Sequence, residues 1–197
     1  MKPGRMNLTQ CTRCSREVPG HEGVEQSDGR GGSLGFVCGR CWTNIISDHR
    51  GEAIGHVEVA PLTLTDAAHG SHVFHFRFNP SPRSLKAFEL LDGVPGGYGF
   101  GVIAEENEPT TSLVGRLVSR IREALARQHL EPCDITQGGL RIKGEVVRGR
   151  IELDDHHDLP VAVVDGASVP WLQFGKMLMN YEGWQFRLEM VDPYDEL

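Results

Sequence analysis

At 197 residues, 39% hydrophobic and 24% charged, the chain has the composition of an ordinary folded protein, long enough to bury a core without leaning on a metal alone. Its net charge of −7 argues against a general nucleic-acid binder. No apolar run reaches membrane-spanning length and no signal-peptide or lipidation motif is visible, so the expectation is a cytoplasmic protein without a membrane partner.

The first elements are set by four cysteines. Cys11 and Cys14 form one Cys-x-x-Cys pair, and Cys38 and Cys41, running into Trp42, form another after a turn-rich stretch. Each pair can span one edge of a tetrahedron, so this spacing predicts one structural Zn2+ per chain, held by Cys11, Cys14, Cys38 and Cys41 with no position open to water or substrate. A single Fe bound by the same four thiolates is the alternative metal. Two disulfides would need an oxidising compartment, and neither pair opens a helix after a clear strand of a βαβ unit, as a redox dithiol does. Leu34 to Cys38 follows a Gly-rich turn and reads as half of a short hairpin, and Trp42, Ile45, Ile46 and His49 fall at helical spacing before Gly51. The order of knuckle, hairpin and helix resembles a zinc-ribbon or treble-clef head. We place it over residues 1–52, with an α+β domain over 53–197, a mostly antiparallel sheet packed with about three helices.

Residues 1–56 hold seven Lys and Arg against six acids, a net of +1, and the whole-chain −7 therefore leaves −8 on residues 57–197. Any nucleic-acid contact is confined to the head, around Arg13, Arg16, Arg30 and Arg40.

In the larger domain, Ala53 to Leu64 reads as an edge strand and connector. His72, Phe74, Phe76 and Phe78 alternate with Val73, His75 and Arg77, so His72 and His75 sit on opposite faces of a strand and cannot chelate together; the histidines read as polar residues on an exposed sheet face. Ser81-Pro82 looks like a helix start, with Leu85, Phe88 and Leu91 following and Asp92-Gly93 as a stop. Glycines 93 to 101 lack the Lys-Ser/Thr of a phosphate loop and read as a turn into a strand at 100–104. Thr111 to His129 is the strongest helix: Val114, Leu117, Val118, Ile121, Ala124 and Leu125 form a stripe, opposite Arg116, Arg120, Arg122 and Arg127, which read as solvated.

Leu140–Val147 and Arg150–Leu153 read as a hairpin. Asp154-Asp155-His156-His157-Asp158 then gathers carboxylates and imidazoles, the first place to look for a second metal or acid–base chemistry, although a polar turn is the favoured reading. Cys133, beside Pro132, has no assignable His and reads as an incidental thiol. Val161–Val164 is a strand, Val169–Met179 a helix, and Trp184, Phe186, Leu188 and Met190 alternate with Gln185, Arg187 and Glu189 as in an inner strand.

The Cys-x-x-Cys…Cys-x-x-Cys-Trp start together with Trp171-x-x-Phe174-Gly175-x-x-Leu178-x-x-Tyr181-Glu182-Gly183-Trp184-x-Phe186-x-Leu188-Glu189 resembles a group of bacterial proteins of unknown function, built from a zinc-ribbon head and an α/β body. That resemblance implies no reaction and no catalytic residue. Three functional expectations follow: a non-catalytic zinc-binding adaptor or regulatory protein that docks a protein partner, a nucleic-acid-associated factor acting through the basic head, and a metal-dependent hydrolase using the loop at 154–158.

Overall fold

The structure, a computed structural model, describes residues 8–134, 139–154 and 159–195. Its α+β architecture has three α-helices among the described residues and sheets that pair antiparallel. A small zinc-ribbon-like head comes first. Strands β1 (Leu8–Gln10) and β2 (Glu17–Pro19) pair across the turn that carries Cys11 and Cys14. A 3-10 turn at Gly20–Glu22 leads to the hairpin of β3 (Gly23–Ser27) and β4 (Ser33–Cys38). Asp28 shapes that turn by accepting the Arg30 and Gly32 backbone N–H groups at 2.8 Å each. Helix α1 (Gly39–Arg50) starts directly at the second cysteine pair. It stops at Gly51, whose left-handed φ of 67° costs a residue without Cβ little.

The central sheet is a meander of β5 (Leu62–Thr65), β6 (Ser71–Pro80), β7 (Arg83–Leu91) and β8 (Val94–Ile103), in that order across the sheet. Phe74, Phe78, Leu85, Ala87 and Val102 are buried on one face against Leu113, Leu117, Ile121 and Leu125 of α2 (Thr110–Leu125). The opposite face, with His75 and Phe88, receives the head: the His21 ring packs edge-on to both, at centroid distances of 5.2 and 5.8 Å, and α1 lies along β6.

This two-sided cover explains one departure from the sequence expectation. Residues 83–91 form a strand, not a helix, after a turn with a cis Ser81–Pro82 peptide. With Leu85 and Ala87 under α2, and Ser84 and Phe88 buried on the other side, period-two alternation disappears. The apolar residues left at 85, 88 and 91 imitate a helical spacing. β8 likewise runs through the glycines rather than starting after them.

Two of the arginines of α2 are not simply solvated. Arg116 grips the Glu108 carboxylate from Nε (3.1 Å) and a terminal nitrogen (3.0 Å) and also donates to the Ile103 carbonyl. Arg120 donates to the carbonyls of Gly101 and Tyr194, at 2.8 and 3.0 Å. These bonds tie the helix to β8 and to the chain's end.

Beyond α2, β9 (Leu130–Pro132) pairs with β10 (Leu140–Ile142), while β11 (Arg150–Leu153), β12 (Pro160–Val164) and β13 (Ala167–Pro170) form a three-stranded meander. The expected hairpin between 140–147 and 150–153 is therefore not formed, because each strand takes a partner from a more distant segment. Helix α3 (Trp171–Leu178) follows β13 and buries Met177 against Leu130, Ile142, Ala162, Val164 and Val169. The alternating segment 184–190 is no inner strand. It belongs to no sheet, with Trp184, Phe186, Leu188 and Met190 exposed. No described helix is long and apolar enough to cross a membrane.

Candidate metal centre

The two cysteine pairs come from different pieces of backbone, and hydrogen bonds fix where they meet. In the first knuckle the Cys11 N–H donates to the Arg16 carbonyl and the Ser15 N–H to the Cys11 carbonyl, both at 2.9 Å, with Ser15 left-handed at φ 58°. Thr12 anchors this turn to β4 through its N–H (2.9 Å) and hydroxyl (3.1 Å), both donating to the Phe36 carbonyl. The second pair straddles the start of α1, where unpaired peptide N–H groups favour negative charge. The Cys38 N–H donates to Cys11 Sγ at 3.3 Å. Val37, Val18, Trp42 and Ile45 pack around the cluster.

The result is a group of four Sγ atoms that all lie within 4.8 Å of one another and could hold a metal ion. Cys14 Sγ and Cys38 Sγ are 3.8 Å apart. A tetrahedron with metal–sulfur bonds of about 2.3 Å has edges of about 3.8 Å, whereas a disulfide would bring two sulfurs to about 2 Å. Cys11, Cys14, Cys38 and Cys41 form no disulfide.

The electrostatics also call for a cation. Burial works to raise the Cys11 pKa, but the N–H groups of Cys38, Cys14 and Arg13 outweigh it and lower the thiol to about 6. Cys41 is pushed up to about 12, by burial first and then by the neighbouring sulfurs of Cys14, Cys38 and Cys11. Burial likewise raises Cys38. The Cys11 thiolate is thus favoured, whereas the ionisation that burial opposes at Cys38 and Cys41 is the kind a positive ion would offset. Cys11 and Cys38 are buried and Cys14 is exposed, so the centre sits at the surface of the head with its inner edge sealed.

The remaining sequence candidates are placed as follows. Residues 155–158, which include His156 and His157, lie outside the described residues. Cys133 is half-buried. Arg13, Arg16, Arg30 and Arg40 are all exposed, and Arg40 donates to Glu58 Oε1 at 3.1 Å.

His72 is a correction: it is not a bland surface residue. Its side chain is 16% exposed, with Nδ1 2.8 Å from Glu89 Oε1 and Nε2 3.0 Å from Asp66 Oδ2. Both ring nitrogens can donate only as imidazolium, so the group is a cation clamped between two carboxylates. Burial opposes that charge, but the two hydrogen bonds outweigh it and raise the His72 pKa. Asp66 is lowered chiefly by the bond to His72. Sequence reasoning missed this clamp because Glu89 falls on the strand that reads as a helix.

Beside the clamp a cleft of about 210 Å³ is bordered by Asp66, Tyr98, Arg127, Leu130, Asp165 and Ala167. Its carboxylates are committed to structure: Asp165 Oδ2 accepts the His129 and Leu130 N–H groups at 2.7 Å each, and Asp66 Oδ1 accepts those of Ala68 (2.9 Å) and Gly70 (2.6 Å). Among the described residues these groups assemble no nucleophile with a base.

Comparison with known families agrees with a chain whose chemistry is not declared by its fold. Residues 55–126 match the family model of a Domain of unknown function (DUF7686). Residues 129–195 match that of a second Domain of unknown function (DUF7713). No curated protein and no solved structure matches the chain.

Proposed function

We propose that this chain is a non-catalytic zinc-binding adaptor or regulatory protein, in which a rigid metal-clamped head and an acidic α+β body dock a protein partner. The convergence of Cys11, Cys14, Cys38 and Cys41 carries the reading. Four thiolates make a soft, tetrahedral, fully protein-supplied donor set that suits zinc, and a fourth sulfur occupies the position a catalytic zinc keeps for water. Such an ion supplies folding energy to the head rather than a reactive centre. The knuckle, the β3–β4 hairpin and α1 starting at the second pair support a treble-clef reading of the head. The engagement of Arg40, Arg116 and Arg120 by groups of the chain itself leaves less positive surface for a phosphate backbone and favours protein over nucleic acid as the partner.

Purification of the tagged chain from its native source tests this. A stoichiometric protein companion that is lost in Cys38→Ser is expected. Co-purifying RNA or DNA, or turnover that depends on the bound metal, would contradict the reading.

A further inference from the structure

The surface of the C-terminal unit is unlike the rest. Residues 184–190 belong to no helix or strand, and among the described residues the backbone of 185–190 makes no hydrogen bond. Trp184, Phe186, Leu188 and Met190 are 60, 89, 72 and 68% exposed. An alternating apolar ribbon with unused peptide groups has the form of a strand lacking a sheet.

The ribbon is nevertheless held at both ends. The Trp184 N–H donates to the Tyr181 carbonyl at 2.9 Å, the two rings meet edge-on at 5.5 Å, and the Tyr181 hydroxyl donates to the Gly144 carbonyl. At the far end Arg120 binds the Tyr194 carbonyl, and Lys86 Nζ sits over the Tyr194 ring. A segment pinned at both ends has already lost part of the entropy that pairing would otherwise cost.

The same chain also displays a sheet edge in need of cover. β11 pairs only with β12 among the described residues, and its Ile151 and Leu153 are 52 and 77% exposed. Within one chain the ribbon leaves this edge open.

We infer that two copies of this chain form a twofold dimer in which the 184–190 ribbon of each pairs with the β11 edge of the other. One protomer would bury the four ribbon residues and the two edge residues, about 850 Å² of exposed surface, against the roughly 800 Å² per partner of a stable standard-size interface. A twofold axis satisfies both ribbons and both edges at once. Charge points to a second copy rather than a charged stranger. Residues 171–190 hold Lys176 and Arg187 against Glu182 and Glu189, a net of zero in a chain of −7, and Arg187 is already paired with Glu189 at 2.9 Å. β11 likewise balances Arg150 against Glu152, so ribbon and edge meet without repulsion, while a nucleic acid or an acidic peptide finds nothing there to neutralise. The metal centre contributes no residue to this surface, so the dimer and the adaptor role stand or fall separately.

Light scattering after gel filtration at about 50 μM, far above the dissociation constants usual for interfaces of this size, is the test. The intact chain is expected at twice the 21.8 kDa of one copy. Phe186→Asp with Leu188→Asp on the ribbon, and separately Leu153→Asp on the edge, each bring the mass to that of one copy, with circular dichroism and metal content unchanged. Mixing the two variants restores part of the dimer, because one of its two joints is then intact. A monomeric wild-type chain overturns the inference and so does a dimer that survives either variant.

Discussion

The His72 clamp offers a prediction in which direction and size both follow from geometry. His72→Gln removes a cation that donates to Glu89 and Asp66 at 2.8 and 3.0 Å, among side chains that are 16, 15 and 21% exposed for His72, Glu89 and Asp66. A hydrogen bond to a charged group contributes about 1.5–3 kcal/mol, and the cost of desolvating the three charges offsets part of two such bonds. A net loss of about 2 kcal/mol is the result at mildly acidic pH. The His72 pKa is raised from 6.5, so its contribution is complete below 6.5 and is lost as pH rises through the folded-state value. The Asp66 pKa is lowered from 3.8, so its share is present above 3.8 and is lost only as pH falls through that lowered value. The clamp is therefore strongest between the two. Urea unfolding of wild type and variant is to be compared at about pH 5.5 and about pH 8.5, taking the difference at each pH so that other titrating groups cancel. The difference is expected to be full at the lower pH and to shrink to half or less at the higher. An equal difference at both values, or none at the lower, would refute the imidazolium assignment.

Two further substitutions probe the core and the head. Leu117→Ala empties a fully buried position between α2 and the sheet and is expected to cost about 2–5 kcal/mol, lowering the melting temperature by roughly 4–20 °C in calorimetry. Gly23→Ala would place a Cβ 2.2 Å from Phe36 Cζ and 2.5 Å from the Val37 carbonyl oxygen, directly behind Cys38. Overpacking of this kind costs about 1–3 kcal/mol, and because head folding and metal binding are coupled it should weaken metal affinity by about 5- to 150-fold in a chelator competition.

The parts of the molecule that were legible in its sequence are those where one local signal governs. The two Cys-x-x-Cys pairs announce the cluster because metal geometry imposes the spacing. Phe74, Phe76 and Phe78 announce β6 because one of its faces is uniformly apolar, and Leu117, Ile121 and Leu125 do the same for α2. Where two neighbours share control, the signal fails. β7 carries apolar residues on both faces because α2 covers one and the head the other, so its period is scrambled. Residues 140–142 and 150–153 look like partners in sequence, but Leu130–Pro132 and Pro160–Val164 compete for them successfully. The ribbon at 184–190 has a strand's pattern without a strand's pairing, which no pattern within one chain reveals. His72 is the clearest loss: its partners lie 6 and 17 residues away on separate elements, and only the fold brings them together.

Cys11, Cys14, Cys38 and Cys41 form a cluster that could hold one metal ion, and the proposed function requires that site to be occupied and closed. Metal analysis of the native chain, followed by optical spectroscopy after exchange for Co2+, addresses it most directly. One zinc per chain is expected, with a tetrahedral tetrathiolate spectrum that does not respond to added imidazole or azide. A chain whose four thiols bind no metal, or a cobalt spectrum that shifts when a small ligand is added, would contradict it.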